Sequence, residues 1–191
     1  MSSPVADNSP PPSPPRPQLQ MIWPKDRLDR PPAEPAPDGY ELRTYRESDE
    51  AAHAALMRAA GFTTWTDEKT RQSLPSCVPG GFFVILHAPT RALVATAMAR
   101  HNPTEHHPAG GELGWVAGDP RHSGKRLGRA VCAAATRRFL EAGYSDIYLL
   151  TDDFRLAAIK IYLRLGFEPM QHCEGMTERW DKVLEELGWR Q

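Results

Sequence analysis

The chain has almost no net charge, few cysteines and no long apolar run, and each shortage removes a class of function. Of its 191 residues, 23 are Lys or Arg and 24 are Asp or Glu, a formal net charge of -1. Without an excess of one sign there is no global field to draw in nucleic acid or an anionic membrane, so any basic site must be local. No stretch approaches the roughly 18 apolar residues that a membrane-spanning helix requires. The N-terminus also lacks the apolar segment of a secretory signal. Cys77, Cys132 and Cys173 are odd in number and stand in no metal-ligand spacing. They read as buried free thiols of a cytoplasmic protein, with no metal site implied.

What is plentiful is proline, and it is unevenly spread: 12 of the 19 prolines fall within residues 1–38. The run "SPPPSPPRP" from Ser9 to Pro17 cannot join a helix or sheet interior, because proline fixes φ and has no backbone donor. Residues 1–38 are therefore expected to be a disordered tail. Within it, "QLQMIWP" (Gln18 to Pro24) is different, since Met21, Ile22 and Trp23 call for burial as an extra strand or a lid. The length suits one well-buried domain, placed at residues 39–175, with a C-terminal helix over residues 176–191 packed on it.

Along that domain the pattern alternates between strand and helix periods. "YELRTYRESD" (Tyr40 to Asp49) alternates, then meets Ser48 or Asp49 as a helix cap before an Ala-rich helix stopped at Gly61. A second short helix fits Thr66 to Leu74, with Thr66 and Lys69 in cap-like positions. "GFFVILHA" and "RALVATAMAR" flank a Pro89–Thr90 turn and read as a hairpin, and "ELGWVAG" (Glu112 to Gly118) adds a third strand. A helix from about Gly124 to Ala142 has Leu127, Val131, Ala135 and Phe139 on one face. "DIYLLT" (Asp146 to Thr151) is nearly all apolar, as central parallel strands are. Another helix, Ala157 to Leu165, stops at Gly166 before the strand start "FEP". The order β-α-α-β-β-β-α-β-α-β plus a helix predicts a mixed, mostly antiparallel α/β sheet with helices on both faces.

The stretch with the most chemical content is "RHSGKRLGRA" (Arg121 to Ala130), which opens the third helix. From Arg121 to Arg138 there are six basic residues and no acidic one. Backbone N–H groups and the helix dipole at such a start favour an anion, while Gly124 and Gly128 allow close approach. It is not a P-loop. Five residues separate Gly118 from Gly124 instead of four, and Arg126 stands where a magnesium-binding hydroxyl is needed. The plainer alternative is a turn before an exposed basic helix.

Together, "DPRHSGKRLGRAV" and "TDDFRLAAIKIYLRLGFEP" resemble the GNAT superfamily of acyl-CoA-dependent N-acyltransferases. The family's loop, [QR]-x-x-G-x-[GA], cradles the CoA pyrophosphate. Ser123 takes its first position, Arg126 that of the first glycine and Gly128 the last, so two of three positions depart. In the second block, N-x-x-A-x-x-x-Y-x-x-x-G-F, Ala158, Tyr162, Gly166 and Phe167 are in register and Arg155 replaces the Asn. The resemblance covers about Tyr40 to Met170. The family's usual seventh strand is inconspicuous, with Gln171 to Glu174 as its candidate.

That resemblance implies a fold and an activity: transfer of an acetyl or similar group from acetyl-CoA to a primary amine. It implies CoA contacts at Val116, Ala117, Gly118, Ser123, Gly124, Lys125, Arg126, Leu127, Gly128, Arg129, Arg155 and Ala158. Glu112 is the candidate base for an amine that is almost all ammonium at neutral pH, against the alternative of an ordinary strand-edge acid. Tyr162 is the candidate acid for the leaving thiolate, against the alternative of a core tyrosine. A backbone N–H near Val116 would hold the oxyanion. Among the rivals, His101, His106 and His107 lie in one loop and read as solvated, and His122 reads as a CoA or solvent contact. Asp152 and Asp153 read as helix caps.

The acceptor is expected to be a small amine, an amino acid or a peptide, met by the first two helices and the His-rich loop, with Phe62, Trp65 and the residues around His106 nearby. Neither nucleic acid nor membrane is expected as a partner. Homodimers are common in the family, and the sequence leaves assembly open. The competing reading is a catalytically inactive CoA-binding or sensor module, suggested by Ser123 and Arg126.

Overall fold

The computed structural model describes residues 16–189. Its elements run β1 (Leu19–Ile22), β2 (Tyr40–Thr44), α1 (Glu50–Ala59), α2 (Asp67–Ser73), β3 (Cys77–His87), β4 (Leu93–His101) and β5 (Gly111–Gly118). Then follow α3 (Leu127–Glu141), β6 (Ile147–Thr151), α4 (Leu156–Leu165), β7 (Glu168–Met170) and α5 (Met176–Glu186). The strands form one sheet in the order β2-β3-β4-β5-β6-β1-β7. Every neighbouring pair is antiparallel except β5 with β6. This is the expected mixed α/β sheet with helices on both faces.

The pleat divides the apolar residues between two cores, because successive side chains of a strand point to opposite faces. Ile85 of β3 joins Val131, Ala135 and Phe139 of α3, Ile159 of α4 and Trp180 of α5 on one face. Its neighbour Val84 goes to the other face, with Met98 of β4, Ala54 and Met57 of α1, and Trp65. The stripe Leu127, Val131, Ala135 and Phe139 is buried throughout. Thr66 caps α2 by accepting from the Lys69 N–H at 3.2 Å, as its position suggested.

The largest departure from expectation lies at the N-terminus. Residues 1–15, which carry most of the proline run, fall outside the described residues. Leu19–Ile22, placed by the sequence in a disordered tail, is a strand paired with β6 on one side and β7 on the other. Leu19 and Met21 are fully buried, and Trp23 packs edge-on against Phe167 at 5.3 Å. "QMIW" is thus an extra strand and not a lid. It supplies the seventh strand, while Gln171–Glu174 is not a strand. Burial of Leu19 and Met21 outweighs the extended, proline-rich bias of their surroundings. After β1 the chain passes α3, where Arg137 donates to the Pro32 carbonyl at 2.9 Å.

Two smaller expectations change. Helix α3 begins at Leu127 rather than Gly124, because Gly124 (φ 76°) and Arg126 (φ 60°) both sit in the left-handed region, which no α-helix contains. The three thiols are all free, but only Cys132 is buried; Cys77 is half-buried and Cys173 exposed.

Candidate active site

The site begins where two strands part. β5 and β6 pair in parallel only at Gly111 with Ile147 and at Glu112 with Tyr148. Beyond that point they diverge. On its other side β5 carries a bulge: Ala117 pairs with Thr96 and Gly114 with Met98, which leaves Trp115 and Val116 opposite Ala97 alone. Trp115 adopts φ 49° to make it. The wedge is a cavity of about 380 Å³ lined by Glu112, Gly114 and Val116 of β5, Leu150 and Thr151 of β6, and Arg155, Ala158 and Tyr162 at and along α4. The Thr151 hydroxyl is buried without a partner among the described residues.

Glu112 is buried and held through one oxygen. Arg100 Nη1 and Asn102 Nδ2 both donate to its Oε2, at 3.0 and 2.6 Å. Its Oε1 lies over Gly114, 3.0 Å from where a Cβ would stand, so a larger residue there would crowd it. The cation is fixed in turn: Arg100 Nε donates to Ser76 Oγ at 3.2 Å, and its guanidinium lies 5.6 Å from the Trp115 ring centre. Tyr162, also buried, has its phenol held well above the ordinary tyrosine range, chiefly by burial and secondarily by Cys132. It therefore stays protonated near neutral pH.

The start of α3 lies outside the lining of the wedge; Gly124, Lys125 and Arg126 border a separate cavity with residues 34–38. No side chain caps the helix, so the N–H groups of its first turn remain available to an anion. Ser123, Gly124, Lys125 and Arg126 are exposed around it. The other expected loop residues fall elsewhere. Leu127 is in the core. Gly128 serves helix packing, because a Cβ there would meet Ile161 Cδ1 at 2.8 Å. Arg129 forms an ion pair with Glu34, and so belongs to the arm after β1. Ala117 is buried and Gly118 exposed. Arg155 ion-pairs with Asp152 at 3.0 Å and lies 5.1 Å from the Phe62 ring centre, roofing the wedge.

A second cavity, of about 470 Å³, adjoins the first and shares Phe62, Arg100 and Trp115 with it. Trp65 forms its wall, packed edge-on against Trp115 at 4.6 Å. A buried polar chain fixes that wall. Trp65 Nε1 donates to Thr70 Oγ1 at 2.9 Å, and the same hydroxyl lies 3.0 Å from His53 Nδ1. Burial pushes the His53 imidazole down to about 4, so the ring is neutral near pH 7 and Nδ1 can accept the Thr70 proton.

The rival residues have structural partners. His107 is buried, contrary to its reading as solvated: it stacks on Tyr148 at 4.0 Å and bonds Asp146 at 2.7 Å. His122 meets Tyr40 Oη at 2.9 Å. Asp152 and Asp153 do not cap α4. They pair with Arg155 and Arg179 instead. Arg100 and Asn102 were missed, although the hairpin register sets Arg100 directly opposite Glu112.

Among the described residues no helix is long and apolar enough to cross a membrane, and no cluster of three or more His, Cys, Asp or Glu could hold a metal. A mycothiol acetyltransferase from Thermobispora bispora is 33% identical over 169 residues, covering 78% of this chain and 54% of its own length. One from Nocardia farcinica is 31% identical over 143 residues, covering 70% and 46%. The chain thus spans about half the length of these curated relatives. The crystal structure of a GCN5-related N-acetyltransferase from Sphaerobacter thermophilus superposes with a TM-score of 0.62 at 21% identity, over 81% of this chain and 50% of that one. The acetyltransferase (GNAT) family model matches residues 40–167, the span holding the wedge, the α3 start and Tyr162, and the chain belongs to the GNAT acetyltransferase family.

Proposed function

We propose that the protein moves an acetyl or similar acyl group from acyl-CoA to a primary amine by direct attack of the nitrogen on the thioester. One observation carries this reading: Glu112, Val116 and Tyr162 line a single wedge, which gives a thioester between the diverging strands a base on one side and a donor on the other. The uncapped start of α3, with Lys125 and Arg126, would receive the pyrophosphate. Thr151 would offer its unpartnered hydroxyl to the polar part of the pantetheine arm.

In this scheme Glu112 Oε1 takes a proton from the amine, directly or through water, while Arg100 and Asn102 keep Oε2 in place. The C–N bond forms and the C–S bond breaks. At the bulge the Val116 N–H would donate to the carbonyl oxygen as charge develops there. Tyr162 donates a hydrogen bond to the departing sulfur. A tyrosine raised by burial is a weaker acid than a thiol of pKa about 8.5, so it stabilises the thiolate without surrendering its proton. The proton that finally neutralises the sulfur comes from the amine by way of solvent. Because the curated relatives are named for mycothiol, mycothiol-related amines head the acceptor screen.

Glu112→Gln is expected to lower kcat about 100-fold or more, and Tyr162→Phe about tenfold, with acetyl-CoA affinity preserved in both. CoA release measured against acceptor concentration checks this. Unchanged turnover in both variants would remove these roles, and acetyl-CoA binding with no turnover on any amine would favour the non-enzymatic CoA-binding reading.

A further inference from the structure

The second cavity has a composition unlike the first. Its walls are aromatic, with Phe62, Trp65 and Trp115 at three sides. Its polar lining comes from Thr64, Lys69, Gln72, Ser73 and Arg100, with no acid among them. Glu50 of α1 and Glu68 of α2 both pair with Arg71. Among the described residues Lys69 Nζ meets only the Thr64 hydroxyl, at 3.1 Å. The wall is also rigid, because Trp65 is bonded through its indole to Thr70 and through its carbonyl to Arg58 Nη1 at 3.0 Å. A preorganised aromatic slot with cations at its edge is a binding site and not a packing defect.

The cavity shares Arg100 with the wedge, and Arg100 leads directly to Glu112. A ligand in the slot therefore lies against the same guanidinium that holds Glu112. Charge balance narrows the ligand further. Lys69 and Arg100 bring two positive charges and Glu112 removes one, which leaves a single positive charge to be matched. A carboxylate matches it. A phosphate monoester, at about -1.5 to -2 near pH 7, would be left partly uncompensated.

We infer that the acceptor is an amine bearing a carboxylate and a planar apolar body: the body lies between Trp65, Trp115 and Phe62, the carboxylate meets Lys69 and the free side of Arg100, and the nitrogen faces Glu112. The assignment of the nitrogen end rests on the transferase reading above. The carboxylate-binding aromatic slot itself does not.

The test uses direct binding, so it needs no turnover. N-Acetylphenylalanine and N-acetylphenethylamine differ only in the carboxylate. Each is titrated by calorimetry into the full chain and into Lys69→Gln, Lys69→Arg and Phe62→Ala, with acetyl-CoA titrated in parallel. The carboxylate probe is expected to bind at least tenfold more tightly than the neutral one. Lys69→Gln should reduce that ratio below about threefold, and Lys69→Arg should restore it. Phe62→Ala should weaken both probes alike. Equal affinities for the two probes, no binding of either, or a ratio untouched by Lys69→Gln would overturn the inference. Loss of acetyl-CoA binding with the carboxylate preference intact would instead sink the transferase reading and leave the slot standing. Lys69 and Phe62 are not deeply buried, so their variants should fold.

Discussion

The two faces of the sheet are built from different materials. On the α3–α4–α5 side, helices and strands meet through apolar side chains and one close helix approach at Gly128. The feature proposed to receive an anion there is backbone, the uncapped first turn of α3. The α1–α2 side carries buried polar groups, His53 of α1 and Thr70 of α2 beside Glu112 of β5, and its cavity is shaped by side chains from four separate segments. The lesson is a division of labour. A donor common to a whole family can be held by chain geometry, whereas an acceptor particular to one protein has to be read by side chains.

Four experiments would break or sharpen that contrast. Removing residues 1–24 should be the most damaging, because it takes out the strand between β6 and β7 and with it the only partner of β7 among the described residues. Loss of the buried Leu19, Met21 and Trp23 should exceed the whole stability of a typical domain, about 5 kcal/mol or more. No cooperative thermal transition is expected. A well-folded truncation would show that the helix side stands without the strand that joins β6 to β7.

Next comes the polar side alone. The His53 imidazole is held near 4 in the folded chain against 6.5 when free. The unfolded chain therefore binds the extra proton between those values, and stability rises with pH across that window. The contribution is complete above the unfolded pKa of 6.5 and is lost as pH falls toward 4. Urea unfolding at about pH 4.5 and at pH 7 should differ by on the order of 2 kcal/mol from this group, and His53→Gln should flatten that part of the difference.

Smaller again, Arg126→Glu should weaken acetyl-CoA about tenfold, roughly 1.4 kcal/mol, and leave the N-acetylphenylalanine affinity unchanged. Lys69→Gln should do the reverse. If either charge change moved both ligands together, the two faces would not be separate sites.

Much of the helix side was legible in the sequence, and the reason is locality. The 3.6-residue stripe through Val131 and Phe139, the stop at Gly166 and the basic start of α3 each lie within one short segment. Glu112 and Tyr162 could be singled out because family resemblance supplied their spacing. Arg100, Asn102 and Lys69 could not, since their meaning depends on which strand or helix lies opposite. β1 escaped for a related reason. Four residues set among prolines give no hint that their partners lie near residues 150 and 170. Gly128 was noticed, but a close approach to Ile161 and a close approach to a ligand leave the same trace in a sequence.

The placement of β1 has a consequence for how the protein is made. Leu19 pairs with Thr151 and Gln20 with Met170, so this strand leaves the ribosome long before its neighbours do. Contacts of such long sequence separation slow folding, and an apolar strand without partners invites association with other chains in the meantime. The nascent chain has to keep "LQMI" out of trouble through the synthesis of some 150 further residues. The prolines on either side of it, poor partners for any foreign strand edge, are well chosen to guard that wait.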